Sequence, residues 1–96
     1  MYIIVIGGGQ IGYHLTRALL NAGHEVVVIE SDPKKVQGLE KEFGTIILRG
    51  DGSEPRFLTA AGVARADVLI ATSGNDEDNL AACQVAKHQF KVGRTI

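Results

Sequence analysis

The sequence lacks a second cysteine, an excess of charge of either sign and any long apolar run. Because Cys83 is the only cysteine, it has no partner for an internal disulfide or for a CxxC metal or redox site. A formal net charge of −1 and a pI near 6.3 provide no basic surface for nucleic acid or for an anionic membrane. Direct binding to either is therefore not expected.

The longest apolar runs, residues 2–6 and 26–29, are far too short to cross a bilayer. The amino-terminal residues lack the basic stretch and longer apolar segment of a targeting signal. We therefore expect a cytoplasmic protein with no direct membrane insertion. With 45% hydrophobic and 22% charged residues, the 96 residues predict a single globular domain, residues 1–96.

Strands and helices alternate along the chain. Apolar runs predict buried strands at residues 2–6, 25–30, 45–48 and 67–71, with a fifth strand beginning at residue 94. Helical spacing and capping residues predict helices at residues 10–22, 34–43, 53–61 and 76–89. This alternation predicts an α/β fold of the Rossmann type, a doubly wound parallel sheet apparently truncated at the start of the fifth strand.

Three of these helices have an apolar face that we expect to pack on the sheet. The predicted inward residues are Ile11, Leu15, Leu19 and Ala22 in the first helix, Val36, Leu39 and Phe43 in the second, and Leu80, Cys83, Ala86 and Phe90 in the fourth.

The glycines after the first strand have the spacing Gly7-x-Gly9-x-x-Gly12. At a strand-to-helix junction, Gly7 allows a tight turn, Gly9 lets a phosphate approach the backbone, and Gly12 lets the helix pack closely on the strand. The N–H groups and the positive end of the helix then face an anion. The pattern predicts a nucleotide site, although glycine-rich turns also occur for structural reasons alone.

Glu30 ends the second strand, where a carboxylate can accept hydrogen bonds from both hydroxyls of an adenosine ribose. Its negative charge repels a 2′-phosphate, so NAD or an adenine nucleotide such as ATP, ADP or AMP is favoured over NADP. Asp32 precedes a proline and is better explained as a helix cap than as a ligand contact.

Two further segments end strands along the same edge of the predicted sheet. Asp51, between Gly50 and Gly52, follows the third strand at the adenine edge, although a plain turn is nearly as good an explanation. Thr72 and Ser73 follow the fourth strand and could reach a phosphate or the second ribose.

No residues form a recognisable catalytic constellation. His14, His24 and His88 make no HxxxH pair, Ser73 is not in a GxSxG motif, and no GK[ST] follows the glycines. We expect neither an enzyme nor a metal site.

The motifs together resemble the TrkA N-terminal (KTN, or RCK) nucleotide-binding domains of potassium transport regulators. The resemblance covers essentially the whole chain: YIIVIGGGQIG, then VVVIESDP, then ILRGDGSEPRFLTAAGVARADVLIATSGNDEDNLAACQVAK. It implies a cytosolic regulatory domain that binds NAD(H) or an adenine nucleotide, assembles as dimers or rings, and acts on a membrane potassium transporter or channel. The site residues that it implies are Gly7, Gly9, Gln10, Ile11, Gly12, Glu30, Asp51, Thr72 and Ser73.

One departure from the family concerns Gln10, where several relatives have an arginine that meets nucleotide phosphates. Its absence favours a dinucleotide or a less charged nucleotide over a triphosphate. Two other hypotheses remain open: the cofactor-binding part of an NAD-dependent oxidoreductase, and a structural Rossmann domain with an empty crevice.

Overall fold

A computed structural model describes residues 1–89 and 92–96, with the backbone alone for Asp76, His88 and Gln89. The strands are β1 (Tyr2–Ile6), β2 (Glu25–Glu30), β3 (Ile47–Arg49), β4 (Val68–Ala71) and β5 (Arg94–Thr95). The helices are α1 (Gln10–Asn21), α2 (Pro33–Phe43), α3 (Pro55–Ala60) and α4 (Asp76–Gln89), with short 3-10 turns at Gly44–Ile46 and Val63–Arg65. No helix in the described residues combines the length and the apolar character needed to span a membrane.

The five strands form one parallel sheet in the order β3-β2-β1-β4-β5. Core residues of α1 and α2 pack on one face of the sheet, and those of α3 and α4 pack on the other. The predicted Rossmann-type architecture is therefore confirmed. Because β1 lies in the middle of the order, the chain leaves it toward β2 on one side and returns beside it as β4 on the other.

The central strand β1 is buried along its whole length. Alternate residues point to opposite faces: Tyr2, Ile4 and Ile6 pack with α3 and α4, whereas Ile3 and Val5 pack with α1 and α2. Full burial of one such aliphatic side chain contributes on the order of 2 kcal/mol to folding. The unbroken apolar run is thus the sequence signal of a strand covered on both faces.

The second βα unit agrees with the prediction. β2 has the predicted bounds, and Val26, Val28 and Ile29 are buried in it. In α2, the Asp32 side chain accepts a hydrogen bond from the N–H of Lys34 at 2.9 Å, which confirms that Asp32 is a helix cap. Of the expected inward residues, Leu39 and Phe43 pack in the core on this face of the sheet, and Val36 is buried.

The third strand differs from the prediction of residues 45–48. A 3-10 turn occupies Gly44–Ile46, and β3 begins only at Ile47, opposite Val28 of β2. The apolar pattern identifies the strand, but the hydrogen bonds to β2 set its ends. The fourth strand likewise begins one residue later than predicted, at Val68.

The inward face of α1 was predicted wrongly in part. Ile11 is 71% exposed and Ala22 is exposed, whereas the buried residues of the helix are Gly12 and Thr16. Leu19 packs on the sheet as expected, and Leu15 is half-buried. A residue without a side chain is needed at position 12 because a Cβ there would lie 1.9 Å from the carbonyl oxygen of Gly7.

In α4, Ala86 is fully buried and Cys83 packs against the core, but Leu80 is 61% exposed, so its predicted inward position is wrong. Ala82, which was not predicted, is fully buried instead. Phe90, the last predicted residue of this face, lies outside the described residues.

Candidate functional site

The candidate site is the crevice between the carboxyl ends of β1 and β4. Ile6 and Ala71 are register partners, so the loops that follow them begin at the same level of the sheet. The first loop then leads to α1 on one face, and the second leads to α4 on the other. In open parallel sheets, this divergence of adjacent strands is where ligands bind.

Gly7 makes the turn out of β1. Its φ of +100° is a conformation that residues with side chains rarely adopt, and a Cβ there would lie 2.7 Å from the backbone nitrogen of Ser73. Its N–H donates to the carbonyl of Ile29 at 2.8 Å. The glycine loop is thereby fixed between β2 and the loop after β4.

Gly12 and Gly9 differ in what surrounds them. A Cβ on Gly12 would lie 1.9 Å from the carbonyl oxygen of Gly7, so this glycine lets α1 pack directly on the loop. A Cβ on Gly9 would meet nothing within 4 Å. Gly9 is the N-cap of α1 and lines the crevice, and no side chain among the described residues caps this helix, so its first N–H groups have no side-chain acceptor there.

The next two predicted residues, Gln10 and Ile11, form the first turn of α1. Gln10 is exposed and lines a cavity of about 320 Å³ on the outer side of the glycine loop, together with Gly9, Tyr13 and Lys35. The side chain of Ile11 is directed into solvent. The Ile11 side chain therefore does not line the crevice, so any contribution of this residue to a phosphate site is limited to its backbone N–H.

Glu30 is buried, with 7% of its surface exposed, and both carboxylate oxygens accept backbone hydrogen bonds. Oε1 accepts from the N–H of Gly8 at 2.6 Å, and Oε2 accepts from the N–H of Asp32 at 2.8 Å. The side chain joins the glycine loop to the start of α2 and also lines the crevice. Each oxygen has a second lone pair, so it can still accept from a ribose hydroxyl.

Asp51 lies on the rim, in the loop after β3. Its Oδ1 accepts from the hydroxyl of Ser53 at 2.6 Å and from the Ser53 N–H at 2.8 Å. The bond from the Ser53 hydroxyl lowers the pKa of Asp51 the most, and the bond from the Ser53 N–H lowers it further. A Cβ on Gly52 would lie 2.6 Å from Ile6, so this loop packs tightly against β1.

Thr72 and Ser73 form the opposite wall, and their polar groups are bonded within the protein. The Thr72 hydroxyl lies 3.1 Å from the carbonyls of both Ile6 and Gly7. The N–H and hydroxyl of Ser73 both donate to Oδ1 of Asn79, at 3.0 and 2.5 Å. These residues shape the crevice, but the bonds leave less of their donor capacity for a ligand than the sequence implied.

The helix after this wall begins as predicted. Asn75 caps α4, because its Oδ1 accepts a hydrogen bond from the N–H of Asp78 at 3.0 Å.

The main crevice has a volume of about 300 Å³. It is lined by predicted residues and by others that the sequence motifs did not indicate, among them Ser31, Lys35 and Asp78. Lys35 could have been found from the sequence, since the Ser31-Asp32-Pro33 cap places it in the first turn of α2, next to the glycine loop. A smaller cavity of about 50 Å³ continues from Glu30 toward Asp51.

Comparison with known proteins agrees with this geometry. Residues 3–96 match the family model described as TrkA-N domain. A Trk system potassium uptake protein TrkA homolog from Methanothermobacter thermautotrophicus is 35% identical over 96 residues, which is all of this chain and 44% of the relative. The chain thus spans less than half the length of this curated relative.

Two solved structures have the same fold. The TrkA-N domain of the inner membrane protein ybaL from Escherichia coli superposes with a TM-score of 0.87 at 22% identity, covering 98% of this chain and 69% of that one. The GsuK channel bound to NAD superposes with a TM-score of 0.83 at 25% identity, covering 97% of this chain and 17% of that one. With its glycine loop, its strand order and the family match over nearly its whole length, this chain belongs to the TrkA-N domain family.

Proposed function

We propose that this chain is a nucleotide-binding regulatory domain that controls potassium transport by a membrane transporter or channel. The observation that supports it best is the crevice at the ends of β1 and β4, where Gly9 leaves the start of α1 open beside the buried carboxylate of Glu30. A phosphate at the helix start and a ribose at Glu30 satisfy both features at once. The potassium uptake relative supports the transport role.

The proposed ligand is NAD(H) or an adenine nucleotide, that is ATP, ADP or AMP. In this arrangement the phosphates lie on the glycine loop and the ribose hydroxyls donate to Glu30. The negative charge of Glu30, buried beside the ribose position, repels the 2′-phosphate of NADP. The structural neighbour described as the GsuK channel bound to NAD supports a dinucleotide as the ligand.

The proposed residues contact different parts of the ligand from the two walls of the crevice. The phosphate loop comprises Gly7, Gly9, Gln10, Ile11 and Gly12, and the other contacts come from Glu30, Asp51, Thr72 and Ser73. Asp51 and its neighbouring backbone form the adenine edge, reached through the smaller cavity.

The proposed role is regulatory rather than catalytic. Nucleotide shifts the transporter only if it binds two arrangements of the assembly with different affinity, since a ligand with equal affinity for both shifts nothing. We propose that the domain acts as a homo-oligomer in the cytoplasm, held at the inner face of the membrane by its transporter partner.

Calorimetric titration of the purified chain with NADH, NAD, ATP, ADP, AMP and NADPH tests the ligand. We expect saturable binding of at least one adenine nucleotide and weaker binding of NADPH than of NADH. Glu30→Gln should reduce this discrimination against NADPH. Glu25→Gln is the matched control, because Glu25 lies on the same strand at its opposite, amino-terminal end. If the folded chain bound none of the six compounds, the proposed function would be wrong.

The transport role needs a test of its own. We expect a chimera in which this chain replaces the aligned segment of the Methanothermobacter relative to restore rubidium uptake in bacteria that lack their own potassium uptake regulator. The same chimera with Gly9→Ala should restore less uptake at equal protein level. Equal uptake by both chimeras would show that transport does not depend on the glycine loop of the crevice.

A further inference from the structure

We propose that Lys35 recognises phosphate charge in the crevice, so that the site prefers ligands containing an adenosine 5′-diphosphate group over adenosine itself. This group is shared by NAD(H) and ADP, and the inference rests on the nucleotide-binding function proposed above. Lys35 is in the first turn of α2, outside the residues that the glycine motif selects.

The position of Lys35 relative to Gly9 is the first argument. Lys35 lines the main crevice together with Gly7, Gly9 and Glu30, and it lines the outer cavity with Gly9 and Gln10. The two cavities therefore meet at Gly9, and Lys35 borders both. A phosphate on the N–H groups at the start of α1 has this side chain beside it.

Charge is the second argument. The main crevice is also lined by the carboxylates of Glu30, Asp32 and Asp78. Among the described residues that line either cavity, Lys35 is the only lysine, arginine or histidine. An incoming diphosphate therefore meets repulsion from the acids, and the start of α1 and Lys35 are the two positive features that offset it.

The side chain is also available. It is exposed, and none of the ion pairs among the described residues involves it. The neighbouring Lys34 is exposed as well, but it lines a separate surface depression with Gln37, Glu40 and Arg49. The two adjacent lysines thus provide a matched pair with the same charge and different surroundings.

The test is calorimetric titration of the wild-type chain, Lys35→Gln and Lys34→Gln with adenosine, ADP, NADH and NADPH at low and high salt. Lys35→Gln should weaken the binding of ADP and of NADH about fivefold to tenfold and leave the affinity for adenosine unchanged. It should also reduce the salt dependence of ADP binding. Lys34→Gln should bind all four compounds as the wild type does. Thermal melts should show both variants folded, because both side chains are exposed.

Three results would overturn the inference while leaving the proposed function intact. An equal loss in Lys34→Gln would mean that only the general charge of α2 matters, and an equal loss for adenosine would mean a structural effect. A loss confined to NADPH would place Lys35 at the ribose 2′ position instead. Absence of binding of every compound to the wild-type chain would reject the proposed function itself, and this inference with it.

Discussion

Glu30 has two hydrogen bonds inside the protein at the position where the sequence places a ribose contact. The N–H groups that it accepts belong to Gly8, in the glycine loop, and to Asp32, at the start of α2. A buried carboxylate that satisfies two backbone donors holds these two segments together. The residue therefore contributes to the shape of the crevice before any ligand enters.

We predict that Glu30→Gln lowers the free energy of unfolding by about 1–3 kcal/mol. The amide retains one oxygen acceptor, and its NH₂ group faces the second backbone N–H, so a buried donor loses its partner. Urea unfolding would measure the change. Glu25→Gln should have little effect, because Glu25 is exposed and its ion pair with Arg65 lies at the surface. Equal stability of Glu30→Gln and wild type would mean that these backbone bonds contribute little to folding.

The glycines of the loop should respond differently to the same added methyl group. Gly12→Ala should destabilise the chain by about 3 kcal/mol, because its Cβ meets the backbone carbonyl of Gly7, which cannot move aside cheaply. Gly9→Ala should cost no more than about 1 kcal/mol, since its surroundings are open and its φ of −70° suits alanine. Thermal unfolding of the two variants would compare them. A Gly9→Ala variant as unstable as Gly12→Ala would contradict the open position of Gly9.

At the scale of elements, the sequence predicts best the strands that are buried on both faces and the helix starts that carry capping residues. The bounds of β2 follow from its β-branched run, and the start of α2 follows from Asp32 and Pro33. The architecture follows from the alternation of strands and helices. In each case the local sequence pattern favours the same structure that the packing of the whole fold requires.

The helix faces beside the crevice were harder to predict. Ile11 and Leu80 are large and apolar, and helical spacing alone assigns both to the core, yet both are exposed near the helix starts. The residue that packs on the loop at the start of α1 is Gly12, because the backbone of α1 approaches the loop closely. Lys35 was missed because the glycine motif directs attention to α1, whereas this lysine reaches the crevice from α2.

Thr16 in α1 is fully buried, and its hydroxyl has no hydrogen-bond partner among the described residues. We predict that Thr16→Val raises the free energy of unfolding by about 1 kcal/mol, since valine has nearly the same shape and no polar group to desolvate. The melting temperature should rise by roughly 4–8 °C. Thr59→Val, an exposed change within α3, should give no such gain. A fall in stability of Thr16→Val would reveal a bond to the hydroxyl.

At the scale of the whole molecule, the crevice is built from segments that are distant in sequence. Gly7, Glu30, Asp51 and Ser73 each follow or end a different strand, and the parallel sheet brings them to one edge. An unfolded chain has no such arrangement. A nucleotide that binds here therefore binds the folded state alone, and its binding energy adds to the stability of the entire domain.

This linkage predicts how nucleotide changes thermal stability. At a concentration about one hundred times its Kd, the tightest nucleotide should add about 2.7 kcal/mol to the free energy of unfolding, which for a domain of this size raises the melting temperature on the order of 10 °C. Differential scanning fluorimetry across a concentration series would measure it. In Gly9→Ala the unliganded melting temperature should fall by no more than about 4–8 °C, in line with a cost of at most about 1 kcal/mol. The shift at the same nucleotide concentration should shrink, because the methyl group occupies the path of the phosphate. A full shift in Gly9→Ala would mean that the ligand stabilises the fold from somewhere other than the glycine loop.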